Sequence, residues 1–201
     1  MIVTVSNQYG SGAIAVARMA AERLGYALVD EALPVVVARR LQTSVEAVES
    51  AEDTSRTMSE RLLAGLEMAT PEVSGVEAPS FDEQCFREVQ AAVREYAAIG
   101  NTILIGRGAN AILGRRQDVV RVFMHAPREW RIHHIMRLLA ADERVAAGEV
   151  DRIDKARARY MRRYYDLDWG DPSHYDLSLD AATFGESGCA ALIVRAVQAD
   201  A

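Results

Sequence analysis

Met1 to Ala17 reads Met-Ile-Val-Thr-Val-Ser-Asn-Gln-Tyr-Gly-Ser-Gly-Ala-Ile-Ala-Val-Ala, and no other stretch constrains the fold as much. Ile2, Val3 and Val5 are strand formers, and Gly10-Ser11-Gly12 breaks the strand. Ala13 to Leu24 then follows a helical pattern that places Ile14, Ala17, Ala21 and Leu24 on one face. A glycine turn at such a junction aims backbone N–H groups at one point above the helix N-terminus. Unpaired donors and the helix dipole favour an anion there, phosphate above all. The plainer alternative is a tight turn that binds nothing.

The remaining chain alternates in kind. Strands are expected at residues 26–30, 102–105, 119–124 and 175–180. Helices are expected at 31–41, after the Thr43-Ser44 cap, and at 55–69, 81–99, 127–139, 150–165 and 186–198, with a loop over 70–80. Alternating strands and helices imply a parallel sheet covered on both faces, with ligands at the C-terminal strand ends. The polar residues following strands are Gly10 to Gly12, Asp30, Arg107 with Asn110, and His125, so one edge of the sheet delivers one cleft. A chain of 201 residues, 50% hydrophobic, suits a single domain with a sizeable core. Its net charge of −6 argues against nonspecific nucleic-acid binding. No apolar run approaches the ~20 residues of a membrane helix, and no basic leader precedes the first strand. Cys85 and Cys189 lack metal-type spacing and read as reduced thiols of a cytoplasmic protein. Lys155 is the only lysine, which excludes any mechanism needing one elsewhere.

Two chemistries fit the glycine turn. Gly10-x-Gly12-x-x-Ala15 with Asp30 after the second strand matches a dinucleotide fingerprint, which would make the chain an oxidoreductase. Against it, no Tyr-x-x-x-Lys pair is present and the downstream arginines have no assignment. A kinase-type phosphate loop, G-x-x-x-x-G-K-[ST], is met only in outline. Asn7 stands at its first glycine, Ala13 at its lysine, and Ile14 or Ala15 at its hydroxyl.

Eight short motifs lie along the chain: Tyr9-Gly10-Ser11-Gly12; Leu24-Gly25 with Val29-Asp30; Ile105-Gly106-Arg107-Gly108-Ala109; Val122-Phe123 with Ala126-Pro127; Asp154-Lys155-x-Arg157; Tyr164-Tyr165; Trp169-Gly170-Asp171; and Tyr175-Asp176-Leu177. In this order they resemble the cytidylate kinase-like family, a branch of the P-loop nucleoside monophosphate kinases, from Ile2 to about Ile193. The resemblance implies a three-layer α/β fold with a parallel sheet of about five strands. It implies one domain over residues 1–201, with a helical acceptor-binding insertion at 31–99 and a lid region at 145–170. It also implies ATP-dependent phosphoryl transfer to a nucleoside monophosphate, nominally CMP, or a similar small acceptor, with Mg²⁺ carried in by the nucleotide. Partners are then nucleotide and a small phosphorylated acceptor, with no nucleic acid or membrane; a homodimer is compatible. Since Ala13-Ile14-Ala15 removes both the ammonium and the hydroxyl, the alternative is a degenerate kinase fold that binds nucleotide or a partner without turnover. Strand order separates both from the oxidoreductase, because a kinase places the first strand centrally with the third beside it.

Phosphoryl transfer needs positioned donors and positive charge more than covalent chemistry. The backbone of Gly10, Ser11, Gly12 and Ala13 supplies donors, with Asn7 and the Ser11 hydroxyl as extra ones; as a plain turn residue, Ser11 needs no such role. Arg107, between two glycines after a strand, can reach a phosphate bidentately, and by resemblance it binds the acceptor's phosphate. Asp30 by resemblance faces the acceptor, or else caps the next helix. Arg152, Lys155, Arg159 and Arg163 form a helical stripe, and the resemblance makes their helix the lid, with Lys155 and Arg157 on the family motif. The plain alternative is a solvated face with Asp151–Lys155 and Asp154–Arg157 pairs. Arg131 by resemblance lies near the nucleotide cleft. The adjacent His133 and His134 face different directions, so no metal pair forms there and no protein metal site is expected.

Overall fold

In the computed structural model, which describes residues 1–30, 32–52 and 79–199, the described strands form one five-stranded parallel sheet. The strands are β1 (Ile2–Asn7), β2 (Ala27–Val29), β3 (Thr102–Ile105), β4 (Val119–His125) and β5 (Leu177–Asp180), in the spatial order β2-β3-β1-β4-β5. β1 is central: Ile2 pairs in register with Thr102 on one side and Val119 on the other. A dinucleotide fold sets its first two strands side by side. Here β3 separates them, which removes the oxidoreductase expectation and leaves the kinase order.

The pleat divides the core into two layers. Val3, Val5, Ile103, Val122 and Met124 face one layer, together with α1 (Ala13–Leu24) and α8 (Ala181–Ala199). Ile2 and Leu104 face the other, against α2 (Ala32–Leu41), α3 (Val45–Glu52), α4 (Phe81–Ile99) and the short α5 (Ala109–Leu113). Burial on both faces explains the near-continuous apolar strands. α6 (Arg128–Leu139) and α7 (Glu143–Tyr165) pack on each other through Ile132, Ile135, Ala146 and Val150.

Several boundaries differ from expectation for identifiable reasons. α1 buries Ala13, Val16, Ala17, Ala20 and Ala21, while Ile14 is 49% exposed. The turn sets the phase of the helix, and small side chains rather than the large one meet the sheet. α4 begins as expected because Ser80 and Glu83 form a reciprocal capping box. Phe86 leaves the core layer to stack on Tyr164 of α7, with ring centroids 4.4 Å apart. α7 starts at Glu143 rather than near 150, since the Asp142 side chain accepts from Val145 N–H (2.9 Å) and the interior Gly148 is tolerated. α8 starts at Ala181 and kinks at Gly185, whose φ is 63°. The helix expected at 55–69, nearly all of the 70–80 loop, and Glu31 lie outside the described residues.

At the far end of the sheet from its C-terminal edge, Arg121 of β4 is 5% exposed. Asp176 accepts from its backbone N–H (2.8 Å), its Nε (3.0 Å) and its Nη2 (2.7 Å). The Arg121 guanidinium holds the Asp176 carboxyl below its usual range. A depressed folded pKa contributes stability above the unfolded value and loses it as pH falls through the folded one. Asp176→Asn is therefore expected to cost about 2 kcal/mol at neutral pH, less than a fully buried pair because Asp176 is half-exposed. Denaturant titrations should show that difference shrinking as pH drops below about 3.8, the ordinary aspartate value.

Candidate functional site

The C-terminal strand ends open into a cleft of about 320 Å³. Ser6 and Asn7 end β1, Ile105 ends β3, and Asp30 follows β2; α7 closes the opposite side with Ile153, Ala156, Arg157 and Tyr160. Between them sits Gly106-Arg107-Gly108, with all three residues in the left-handed region at φ 68°, 53° and 67°. Arginine rarely adopts that conformation, and strain of this kind persists where surrounding structure imposes it. Two bonds impose it here: Gly106 N–H to Val5 O (2.9 Å) and Ala109 N–H to Gly106 O (3.0 Å). The turn places the arginine at the cleft instead of continuing the strand.

Arg157 reaches the same cleft from α7 and donates Nη1 to Asn7 O (2.5 Å). Burial lowers its pKa from the ordinary arginine value; Asp154 opposes the shift, Arg107 adds to it, and Asp30 opposes it weakly. Arg107 and Arg157 are thus close enough to feel each other's charge. Two guanidiniums sharing a cleft raise the local potential for an anion with several acceptor oxygens. Arg152 lines the mouth, held by Glu149 (3.2 and 2.9 Å). Burial pushes the Tyr160 phenol well above its usual value, so it remains a neutral wall.

The glycine loop adjoins the cleft without lining it, apart from Asn7. Gly12 caps α1 at φ 74°, and no side chain caps the helix, so its first N–H groups remain available. Ser11 is 0% exposed and its Oγ has no partner. Gly10 is tight: a Cβ there would lie 2.9 Å from Arg131 O. Behind Gly12 packs Glu186, its Oε1 3.2 Å from where a Cβ would stand.

The structure therefore brings Asn7, Asp30, Arg107 and Arg157 to one cleft and puts Gly10, Ser11, Gly12 and Ala13 in the turn beside it. Arg131 is 5% exposed and lies behind the loop, donating to Ala126 O (3.0 Å), Tyr9 O (2.9 Å) and Asp154 (2.6 Å). Lys155 and Arg159 are exposed on α7 and do not line the cleft. The pairs of the plain alternative, Asp151–Lys155 and Asp154–Arg157, are replaced: Asp151 binds Arg128 (3.0 and 2.8 Å), and Asp154 binds Arg131 and the Tyr9 N–H. Asp154, Tyr160 and Glu186 are missing from the site expected by sequence, while Arg152 is the one stripe residue that lines the cleft. The first two could have been found from the helical phase of Arg157, which sets 153, 154, 157, 160 and 161 inward.

Ile14 and Ala15 offer no hydroxyl to a cation, and among the described residues no three His, Cys, Asp or Glu side chains cluster as metal ligands. The chain's own residues do not fit a protein-held Mg²⁺ at the loop. A cation arriving on a nucleotide would be held chiefly by its phosphates.

Comparison with known proteins gives concordant findings. A family model described as the cytidylate kinase-like family matches residues 2–183. The chain is 28% identical to the cytidylate kinase of Natronomonas pharaonis, over 99% of this chain and 90% of that protein. It is 27% identical to the cytidylate kinase of Haloarcula marismortui, over 98% and 90%. Among solved structures, an uncharacterized protein from Eubacterium ventriosum superposes with a TM-score of 0.69 at 18% identity, covering 98% of each chain. Shikimate kinase from Acinetobacter baumannii, in complex with shikimate, gives 0.52 at 14% identity, over 99% and 93%. At such identities the structural likeness speaks for the fold.

Proposed function

The chain belongs to the cytidylate kinase-like family, and from that premise we propose that it transfers a phosphoryl group from ATP to a nucleoside monophosphate, nominally CMP. The observation that carries this is the convergence of Arg107 and Arg157, with Asp30 and Asn7, at the C-terminal ends of the sheet. In this reading the glycine turn and the open N-terminus of α1 bind the donor's phosphates through backbone N–H groups. Arg107 grips the acceptor's phosphate in a bidentate hold, and Arg157 stabilises the charge that spreads over the transferring group. Asp30 orders the acceptor. Residues 31–99 supply the acceptor-binding insertion, and 145–170 act as the lid, in which α7 keeps water from the strand ends. Mg²⁺ comes with ATP. The two free cysteines are both buried and suit a reducing cytoplasm, and no described helix is long and apolar enough to cross a membrane.

A second reading, nucleotide binding without turnover, is favoured by one observation. Ala13 replaces the loop's ammonium, while a carboxylate, Glu186, packs behind Gly12. Multiple-turnover release of ADP from ATP and CMP with Mg²⁺ decides between them. The kinase reading expects turnover on the order of 1 s⁻¹ or faster. ATP binding by thermal shift, with no ADP above background, would select the second reading.

A further inference from the structure

We propose that Asp154 is the positioning residue of the glycine loop, fixing with Arg131 the direction in which the loop's N–H groups meet a donor's phosphates. This rests on the loop being the donor site, though not on turnover.

Three consecutive peptide units of the loop are held from outside it. The unit joining Asn7 to Gln8 gives its oxygen to Arg157 Nη1 (2.5 Å) and its N–H to Met124 O (2.9 Å). The unit joining Gln8 to Tyr9 accepts from Ser11 N–H (3.2 Å) and donates to Asp154 Oδ1 (2.8 Å). The unit joining Tyr9 to Gly10 accepts from Arg131 Nη1 (2.9 Å). Asp154 Oδ2 receives that same Arg131 nitrogen at 2.6 Å. One carboxylate therefore governs two of the three units, one directly and one by aiming the guanidinium.

The arrangement is sheltered. The Arg131 side chain is 7% exposed and that of Asp154 19%, so solvent and salt screen the pair little. Arg131 is also tied to Ala126 O (3.0 Å), which roots the loop in the junction after β4. Removing the carboxylate leaves the Tyr9 N–H without its acceptor and Arg131 without its counter-ion. The next residue is Gly10, at φ 81°, which offers little resistance to rotation of the Tyr9–Gly10 unit. With Ala13 where an ammonium would stand, donor affinity depends on N–H direction, and hydrogen bonds weaken steeply with angle. Asp154 does not line the strand-end cleft, whereas Arg157 one turn on does. Donor and acceptor effects should therefore separate.

The test is direct calorimetric binding of ATP and, separately, of CMP to the full chain. Asp154→Ala is expected to weaken ATP at least tenfold and CMP less than twofold. Asp154→Asn, which keeps an oxygen for the Tyr9 N–H, is expected to weaken ATP about threefold and to fold even should the alanine variant not. Amide exchange at Tyr9 to Gly12 should quicken in step while the sheet keeps its protection. Unchanged ATP affinity in Asp154→Asn, equal losses for ATP and CMP, or a wild-type chain that binds no ATP would each overturn the proposal. Wild-type ATP binding without ADP formation would remove the kinase reading and leave this one standing.

Discussion

Arg107→Ala is expected to lower kcat/KM for transfer from ATP to CMP by about a thousandfold or more. Three guanidiniums line the cleft, and Arg107 is the one held in a left-handed turn between two glycines. A chain that keeps an arginine at φ 53° places its side chain where an ordinary strand exit would not. Alanine removes a planar fork of donors able to take two phosphate oxygens at once. Arg107→Lys should recover little, since an ammonium cannot reproduce that fork. Arg116→Ala, which breaks an exposed pair with Asp118 at the start of β4, serves as the control and should leave kcat/KM within twofold. Steady-state ADP release, with CMP and ATP varied in turn, measures all three. A loss below tenfold for Arg107→Ala would mean that the strand-end cleft does not hold the reacting phosphate.

Gly108→Ala should be among the most damaging single methyl additions at the described glycines, costing about 3 kcal/mol or more. Its φ of 67° is unfavourable for any residue with a Cβ. The added carbon would also lie 2.6 Å from Tyr165 Cε2 and 2.9 Å from Cζ and the hydroxyl oxygen. Tyr165 cannot simply swing aside, because Phe86 and Tyr160 tilt against it with centroids 5.7 and 6.0 Å away. For a chain of this size the melting temperature should drop by about 6–12 °C. Gly25→Ala isolates the backbone contribution: φ is 68° and ψ 31° there, in the same left-handed region as Gly108, but nothing lies within 4 Å of the new carbon. It should cost roughly a third as much. Adding Tyr165→Leu to Gly108→Ala should return part of the loss. Equal melting temperatures for the two alanine variants would show that the Tyr165 contact is without consequence.

The sheet was legible because its causes are local. Apolar runs, glycine breaks and helical periodicity fix strands and helices within a few residues of where they occur, as the Ser80–Glu83 box at the start of α4 illustrates. The strand order followed from the motifs rather than the pattern. Helix rotation was harder. Ile14 looked like a core residue, yet the turn before α1 presents alanines to the sheet. On α7, charge periodicity suggested a stripe through Lys155 and Arg159, whereas packing selects Ile153, Ala156, Arg157 and Tyr160 for the cleft. Arg131 illustrates the limit. Nothing near it in sequence indicates that it will be buried against a loop more than a hundred positions away, since its partners Tyr9 and Asp154 meet it only through tertiary contact.

Ala13 has a consequence for how such a chain can change. It is 2% exposed and belongs to the core layer with Val16, Ala17 and Ala126. A lysine stem at that position would have to force several neighbours apart before its head reached any phosphate. Placing a loop cation in this chain would therefore require either compensating shrinkage around the helix start or recruitment from another segment.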